Sequence, residues 1–146
     1  MYSQLFWEHV KQPCNRRALP TPSGVGEGRF ARCGDRLTLY LNITDGRIAE
    51  ASFEARACAP VIAVASLATE RLVGLTLDEA RELPILELDR ELGGLPPSKR
   101  HAYLVFLESL QGAIDQTLNS NKGNSNNAFI KLQPIRSQSE SQEIQP

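Results

Sequence analysis

Four side chains in this 146-residue chain could hold a metal ion together: Cys33, Asp35, Cys58 and His101. Cys33 and Asp35 flank Gly34 in ARCGDRL, where a glycine lets the backbone bend so that both side chains converge. Cys58 leads into the alanine-rich stretch APVIAVASLATERLVG, and the start of a helix favours a thiolate through its free N–H groups and dipole. His101 opens the last long apolar segment, HAYLVFLESL, about 100° around the helix from its apolar stripe, a rim position. Two thiolates, a carboxylate and an imidazole make four donors, the set that tetrahedral zinc requires and enough for a small iron-sulfur cluster. Each residue alone has a plainer reading: a chance C-x-D match, a small buried hydrophobe at a strand-to-helix corner, a helix-end histidine. A thiol-dependent enzyme with Cys58 as nucleophile and His101 as base would use two of the four, but no nucleophile signature surrounds Cys58.

The elements that must position these residues are legible from periodicity. SQLFWEHV spaces Leu5, Phe6, His9 and Val10 as one helical face with Ser3 as cap, and the helix ends near Pro13. Residues 13–28 hold three prolines and are rich in glycine, and read as an irregular loop. RLTLYLNI alternates Leu37, Leu39, Leu41 and Ile43 with polar residues, a half-buried strand. Asp45 and Gly46 suit a type I′ turn into a return strand through Ile48, Ala51 and Phe53. A largely buried helix follows Cys58 and stops at Gly74; Thr76 and Glu79 form a capping box for a short helix ended by Pro84. Pro96 and Pro97 open the last helix, whose stripe Leu104, Leu107, Gln111, Ile114 and Leu118 is expected to pack on the hairpin.

The sum is an α+β domain over residues 1–118, a short antiparallel sheet packed against helices. Residues 119–146, rich in Asn, Ser and Gln, bury too little apolar surface to offset their ordering entropy and read as a disordered polar tail, with AFIKL as a weak docking segment. Sixteen basic and seventeen acidic residues leave a net charge of -1, so no general field recruits nucleic acid or anionic lipid. No apolar run reaches the roughly 20 residues of a membrane helix, and three widely spaced cysteines do not suit a secreted disulfide framework. A cytoplasmic protein with reduced thiols is expected.

Three blocks in order, GVGEGRFARCGDRL, RIAEASFEARACAPVIAVASLATERLVGLTLDEA and LGGLPPSKRHA, resemble the NifU/IscU-type iron-sulfur cluster assembly scaffolds over residues 5–118. The family's C-G-D motif falls on Cys33 and Asp35, its second cysteine on Cys58 and its histidine on His101. The resemblance implies a two-layer fold with about three strands, and a scaffold rather than an enzyme. Such a scaffold assembles a 2Fe-2S cluster from iron and sulfide and passes it to apo iron-sulfur proteins. It further implies a cysteine desulfurase, an iron or electron donor, and a DnaK-class chaperone that reads LPPSK, Leu95 to Lys99. The third strand would come from residues 24–31.

The departures bear on ligation. The family follows its histidine with a third ligand cysteine, where this chain has Ala102. Its G-C-G is here Ala57-Cys58-Ala59, followed by Pro60, and Cys14 lies in a loop where the family has no cysteine. Losing a thiolate removes one soft donor and one nucleophile, so the site suits iron-sulfur chemistry less and a single zinc or iron ion at least as well. A degenerate member that binds metal and assembly partners without building clusters is the alternative.

Overall fold

Leu37, Leu39 and Leu41 occupy alternate positions of a ten-residue strand and are fully buried. In the computed structural model, which describes residues 2–126 and their side chains through residue 120, this strand is β2 (Asp35–Thr44). It is the centre of an antiparallel sheet ordered β1-β2-β3, with β1 spanning Gly24–Phe30 and β3 spanning Arg47–Arg56. Leu37, Leu39 and Leu41 pair with Ala55, Phe53 and Ala51 of β3 and with Gly28, Gly26 and Gly24 of β1, so one face of the sheet is continuous and apolar. The β2–β3 turn forms as expected: Asp45 and Gly46 take φ of 54° and 77°.

The helices are α1 (Gln4–Lys11), α2 (Ala59–Leu72), α3 (Leu77–Arg81), α4 (Ile85–Glu91) and α5 (His101–Asn126). Ser3 caps α1 by accepting from the Phe6 amide, and Thr76 and Glu79 form the reciprocal capping box of α3. Gly74, at φ 95°, ends α2. α2 lies on the β3 side of the apolar face, α5 on β1 and β2, and α1 packs outside α2. Among the described residues, no helix is long and apolar enough to cross a membrane.

Three expectations need correction. Residues 24–28 are strand, as the family resemblance implied, and not the loop read from their composition: β1 carries glycine at three successive positions of its inner face, so it has no hydrophobic alternation to read. A Cβ at Gly24, Gly26 or Gly28 would collide with the backbone carbonyls of Ala113, Ser109 and Val105, and α5 lies directly on this bare strip. The buried face of α5 consequently keeps only Ile114 and Leu118 of the expected stripe in the core. It runs through Ala102, Val105, Phe106, Ser109, Ala113 and Thr117, small residues among them, while Leu104 is 67% exposed and Gln111 is exposed. Finally, Pro97–Lys99 form a separate 3-10 turn, and α5 begins at His101 and continues past residue 118 to Asn126. The polar tail beyond Asn126, AFIKL included, lies outside the described residues.

The glycine strip gives a direct prediction. Gly26→Val should destabilise the domain by at least about 1–3 kcal/mol, the usual cost of overpacking, because backbone rather than a movable side chain blocks the new atoms. Urea unfolding should show a lower midpoint with unchanged slope; an unchanged midpoint would contradict the close approach.

Candidate metal centre

Asp35 is buried because it is the first residue of β2 and shares the inward parity of Leu37, Leu39 and Leu41. At that end of the sheet the β1–β2 turn (residues 31–34), the start of α2 and the start of α5 meet. Gly34, at φ 72°, bends the turn, with Cys33 N–H donating to the Phe30 carbonyl at 3.2 Å and leaving the Cys33 side chain exposed. No atom crowds a Cβ at Gly34, so its backbone angle and not space requires glycine there.

Cys58 is the N-cap residue of α2, and its backbone N–H donates to Asp35 Oδ1 at 3.0 Å. Its Sγ lies 3.4 Å from Asp35 Oδ2 and 3.9 Å from His101 Nε2. His101 Nε2 in turn lies 3.0 Å from Asp35 Oδ2, and the imidazole stacks on Phe30 with ring centroids 4.2 Å apart. Cys33, Asp35 and His101 each present a ligand atom within 4.8 Å of the others. Both thiols therefore flank one carboxylate–imidazole pair. Bonds of about 2.0–2.3 Å around a tetrahedral ion separate its ligand atoms by roughly 3–4 Å, so the Asp35, Cys58 and His101 atoms already stand at metal-bound spacing, while Cys33 lies within 4.8 Å of Asp35 and His101.

The start of α5 is fixed by Asp89. Its carboxylate accepts from the Leu95 amide at 2.8 Å, the Tyr103 hydroxyl at 2.6 Å and the Arg100 guanidinium at 3.0 Å. Burial works against this anion, but the Tyr103, Leu95 and Arg100 donors outweigh it and hold its pKa below the usual carboxylate range. Arg100 immediately precedes His101, so the contacts that tie down the LPPSK turn also orient the imidazole.

Two site features differ from expectation. His101 is 8% exposed, not at a half-open rim, because Phe30 from β1, a strand without readable periodicity, covers it. The start of α2 does not leave Cys58 with a lowered thiol pKa. Burial pushes its thiol pKa up; the Val61 amide opposes this, and the neighbouring Asp35 carboxylate adds to the rise. Folding thus raises this pKa, so the associated stability is present below the unfolded value and is lost as pH climbs through the folded one. Iodoacetamide should accordingly label the exposed Cys33 before Cys58 at neutral pH, with Cys58 labelling accelerating as pH rises beyond the ordinary thiol range. Peptide mass spectrometry reads both rates; equal rates at neutral pH would contradict the assignment.

Cys14 does not join the centre. Its amide donates to Ser66 Oγ on α2 at 2.7 Å, and Ser66 lies eight residues, about 12 Å of helix, beyond Cys58. Sequence reasoning missed Phe30 and a cleft of about 380 Å³ beside Asp35, lined also by Arg29, Ala31, Gly34, Arg36 and Arg56. The arginines are adjacent only across paired strands, as in Arg29↔Arg36 and Arg36↔Arg56, which no local motif announces. Arg29 and Arg36 both pair with Glu27, and three guanidinium groups against that one carboxylate leave a net positive rim that favours anionic species approaching the centre.

A family model described as the NifU-like N terminal domain matches residues 1–123. Iron-sulfur cluster assembly scaffold protein IscU 1 of Archaeoglobus fulgidus is 35% identical over 114 residues, covering 78% of this chain and 74% of its own length. The IscU scaffold protein of Aquifex aeolicus is 34% identical over 119 residues, covering 80% and 76%. In fold, the chain superimposes with a TM-score of 0.66 and 23% identity on a candidate cluster assembly scaffold for the SUF system from Fervidobacterium islandicum AW-1, over 77% of this chain and 96% of that one. With the match spanning residues 1–123, all of the sheet and helices α1 to α4 and most of α5, the chain belongs to the NifU-like N-terminal domain family.

Proposed function

We propose that this protein is an iron-sulfur cluster assembly scaffold that receives iron and sulfide as its cargo at Cys33, Asp35, Cys58 and His101. The observation that carries this reading is the convergence of two thiols on one buried carboxylate–imidazole pair, with Cys58 Sγ at 3.4 Å and 3.9 Å from its two members. Thiolates are the soft donors that iron and sulfide require, and imidazole and carboxylate complete two tetrahedral irons of a 2Fe-2S cluster. Ala102 contributes no donor, so ligation is altered: where the family resemblance places a third thiolate, Asp35 serves instead.

The placement suits transfer rather than storage. Cys33 sits on an exposed turn, so one ligand can leave for an incoming apo-protein thiol while Asp35 and His101 stay fixed in the interior. Sulfur arriving as a persulfide from a cysteine desulfurase must gain two electrons to become sulfide, so an electron donor is part of the assembly. The arginine-lined cleft next to Asp35 suits the anionic persulfide and sulfide. In the LPPSK turn Pro96, Pro97 and Ser98 are exposed and available to a DnaK-class chaperone, whereas Leu95 is buried and would have to be pulled out to be bound. The reduced thiols fit a cytoplasmic setting. The protein is spent or reloaded stoichiometrically and is not a turnover enzyme.

Anaerobic incubation with ferrous iron and sulfide should give visible sulfur-to-iron charge-transfer absorption, discharged on adding an apo-ferredoxin. Protein that stays colourless would overturn the reading. The second reading, a site that keeps one zinc or iron ion and binds assembly partners without building clusters, is favoured by one observation: Asp35, Cys58 and His101 stand at metal-ligand spacing, with Cys33 within 4.8 Å of Asp35 and His101 as the fourth donor. It predicts one tightly bound ion and no labile sulfide.

A further inference from the structure

The helix α1 and the middle of α2 bring together a second set of metal-type donors. His9 is 6% exposed, and its Nδ1 lies 2.6 Å from Ser66 Oγ, the hydroxyl that also accepts from the Cys14 amide. Its other nitrogen, Nε2, faces Glu70 Oε1 at 3.5 Å, long for a hydrogen bond. His9, Cys14 and Glu70 each place a ligand atom within 4.8 Å of the others, at the edge of an open cleft of about 510 Å³ lined also by Leu5, Glu8 and Gln12.

We propose that His9, Cys14 and Glu70 form a second, mononuclear site for a zinc-like divalent cation, separate from the cluster centre. The donor set is the argument. A thiolate, an imidazole nitrogen and a carboxylate oxygen are the ligand types of zinc, and the fourth position falls to water or Glu8 in the cleft. Ser66 is the outer support such sites use: an Nδ1–H donated to its hydroxyl leaves the Nε2 lone pair directed at Glu70 and Cys14, and the same hydroxyl fixes the Cys14 backbone. Ser66 and Glu70 are four residues apart on α2, hence on one face of the helix, and His9 and Cys14 reach them from α1 and the loop after it. The ligand atoms must close by roughly 1 Å to reach tetrahedral spacing, within reach of χ rotations of Glu70 and Cys14, both of which border the cleft. Glu70 lies twelve residues, about 18 Å of helix, beyond Cys58, so both sites can be filled at once.

The test uses Co(II) as an optical stand-in for zinc on full-length protein. In Cys33→Ala/Cys58→Ala, Cys14 is the sole remaining thiol. This variant should bind one equivalent of Co(II) with a thiolate charge-transfer band, and excess Zn(II) should abolish the band by displacement. Glu70→Gln in that background, which preserves shape, should weaken Co(II) binding by at least about tenfold, with circular dichroism unchanged. Wild-type protein should take up two equivalents of Zn(II), and Cys14→Ser one. A folded Cys33→Ala/Cys58→Ala variant with no thiolate band, or a Glu70→Gln affinity equal to its parent's, would overturn the second site. Neither result touches the cluster reading, which is read out from Cys33 and Cys58.

Discussion

Cys58→Ala should remain folded and fail to hold a cluster, retaining less than about one-tenth of the reconstituted absorption, since loss of a ligand costs at least what loss of its supporting shell does. The separation of the two effects follows from how Cys58 is built in. The Val61 amide near its sulfur also donates to the Cys58 backbone carbonyl at 3.1 Å, so the helix start does not depend on the sulfur. The bond that ties it to Asp35 Oδ1 comes from the backbone amide and survives the substitution. What disappears is one of two thiolates. Alanine at a half-buried position costs about 1 kcal/mol or less, so circular dichroism and the unfolding transition should be nearly those of the parent. Asp35→Ala is a poorer test. It would strip the Cys58 amide and the buried His101 of their acceptor at about 1–3 kcal/mol per group, confounding a lost ligand with a lost fold. Retained colour in Cys58→Ala would place the cluster elsewhere.

The second large effect is a gain. Ala102→Cys should lengthen the life of the reconstituted cluster by about tenfold or more, because a thiolate replaces a harder oxygen donor on iron. The same substitution should destabilise the metal-free protein. Ala102 is fully buried, and an added sulfur overpacks its surroundings at about 1–3 kcal/mol. The two shifts have opposite signs, and loading reverses the order of stability, since a ligand that binds only the folded state adds its binding free energy to the fold. Thermal unfolding of metal-free and cluster-loaded forms under anaerobic conditions reads both. A destabilised metal-free protein whose cluster decays at the parental rate would show that position 102 does not reach the iron.

Much of the frame was legible because it rests on local patterns. β2 and its turn follow from the alternation of Leu37, Leu39 and Leu41 and from Asp45-Gly46. The starts of α1 and α3 follow from Ser3 and Thr76. β1, placed at residues 24–31 by the family resemblance but not by periodicity, is specified by what it lacks: Gly24, Gly26 and Gly28 give no hydrophobic period and matter only once α5 lies on them. The misread face of α5 is the other half of the same contact. Leu104 looks like core and is exposed, while Ser109 and Ala113 look indifferent and are enclosed against a strip without side chains.

The four donors were visible as residue types at element ends; their convergence was not. Asp35 and Cys58 meet because one begins β2 and the other follows β3, its antiparallel neighbour. His101 was misjudged for a specific reason: Phe30, which buries it, belongs to the strand that periodicity could not find. The rise of the Cys58 pKa likewise turns on burial, a tertiary quantity, overriding the local effect of a helix start.

The central claim is that Cys33, Asp35, Cys58 and His101 carry iron and sulfide together. Iron and acid-labile sulfide should be measured on the Cys14→Ser variant expressed with its assembly partners and purified without oxygen, so that metal bound by Cys14 does not enter the count. Iron and labile sulfide in equal amounts, both lost on adding Cys58→Ala, is the predicted result. Stoichiometric zinc or iron with no labile sulfide would contradict it.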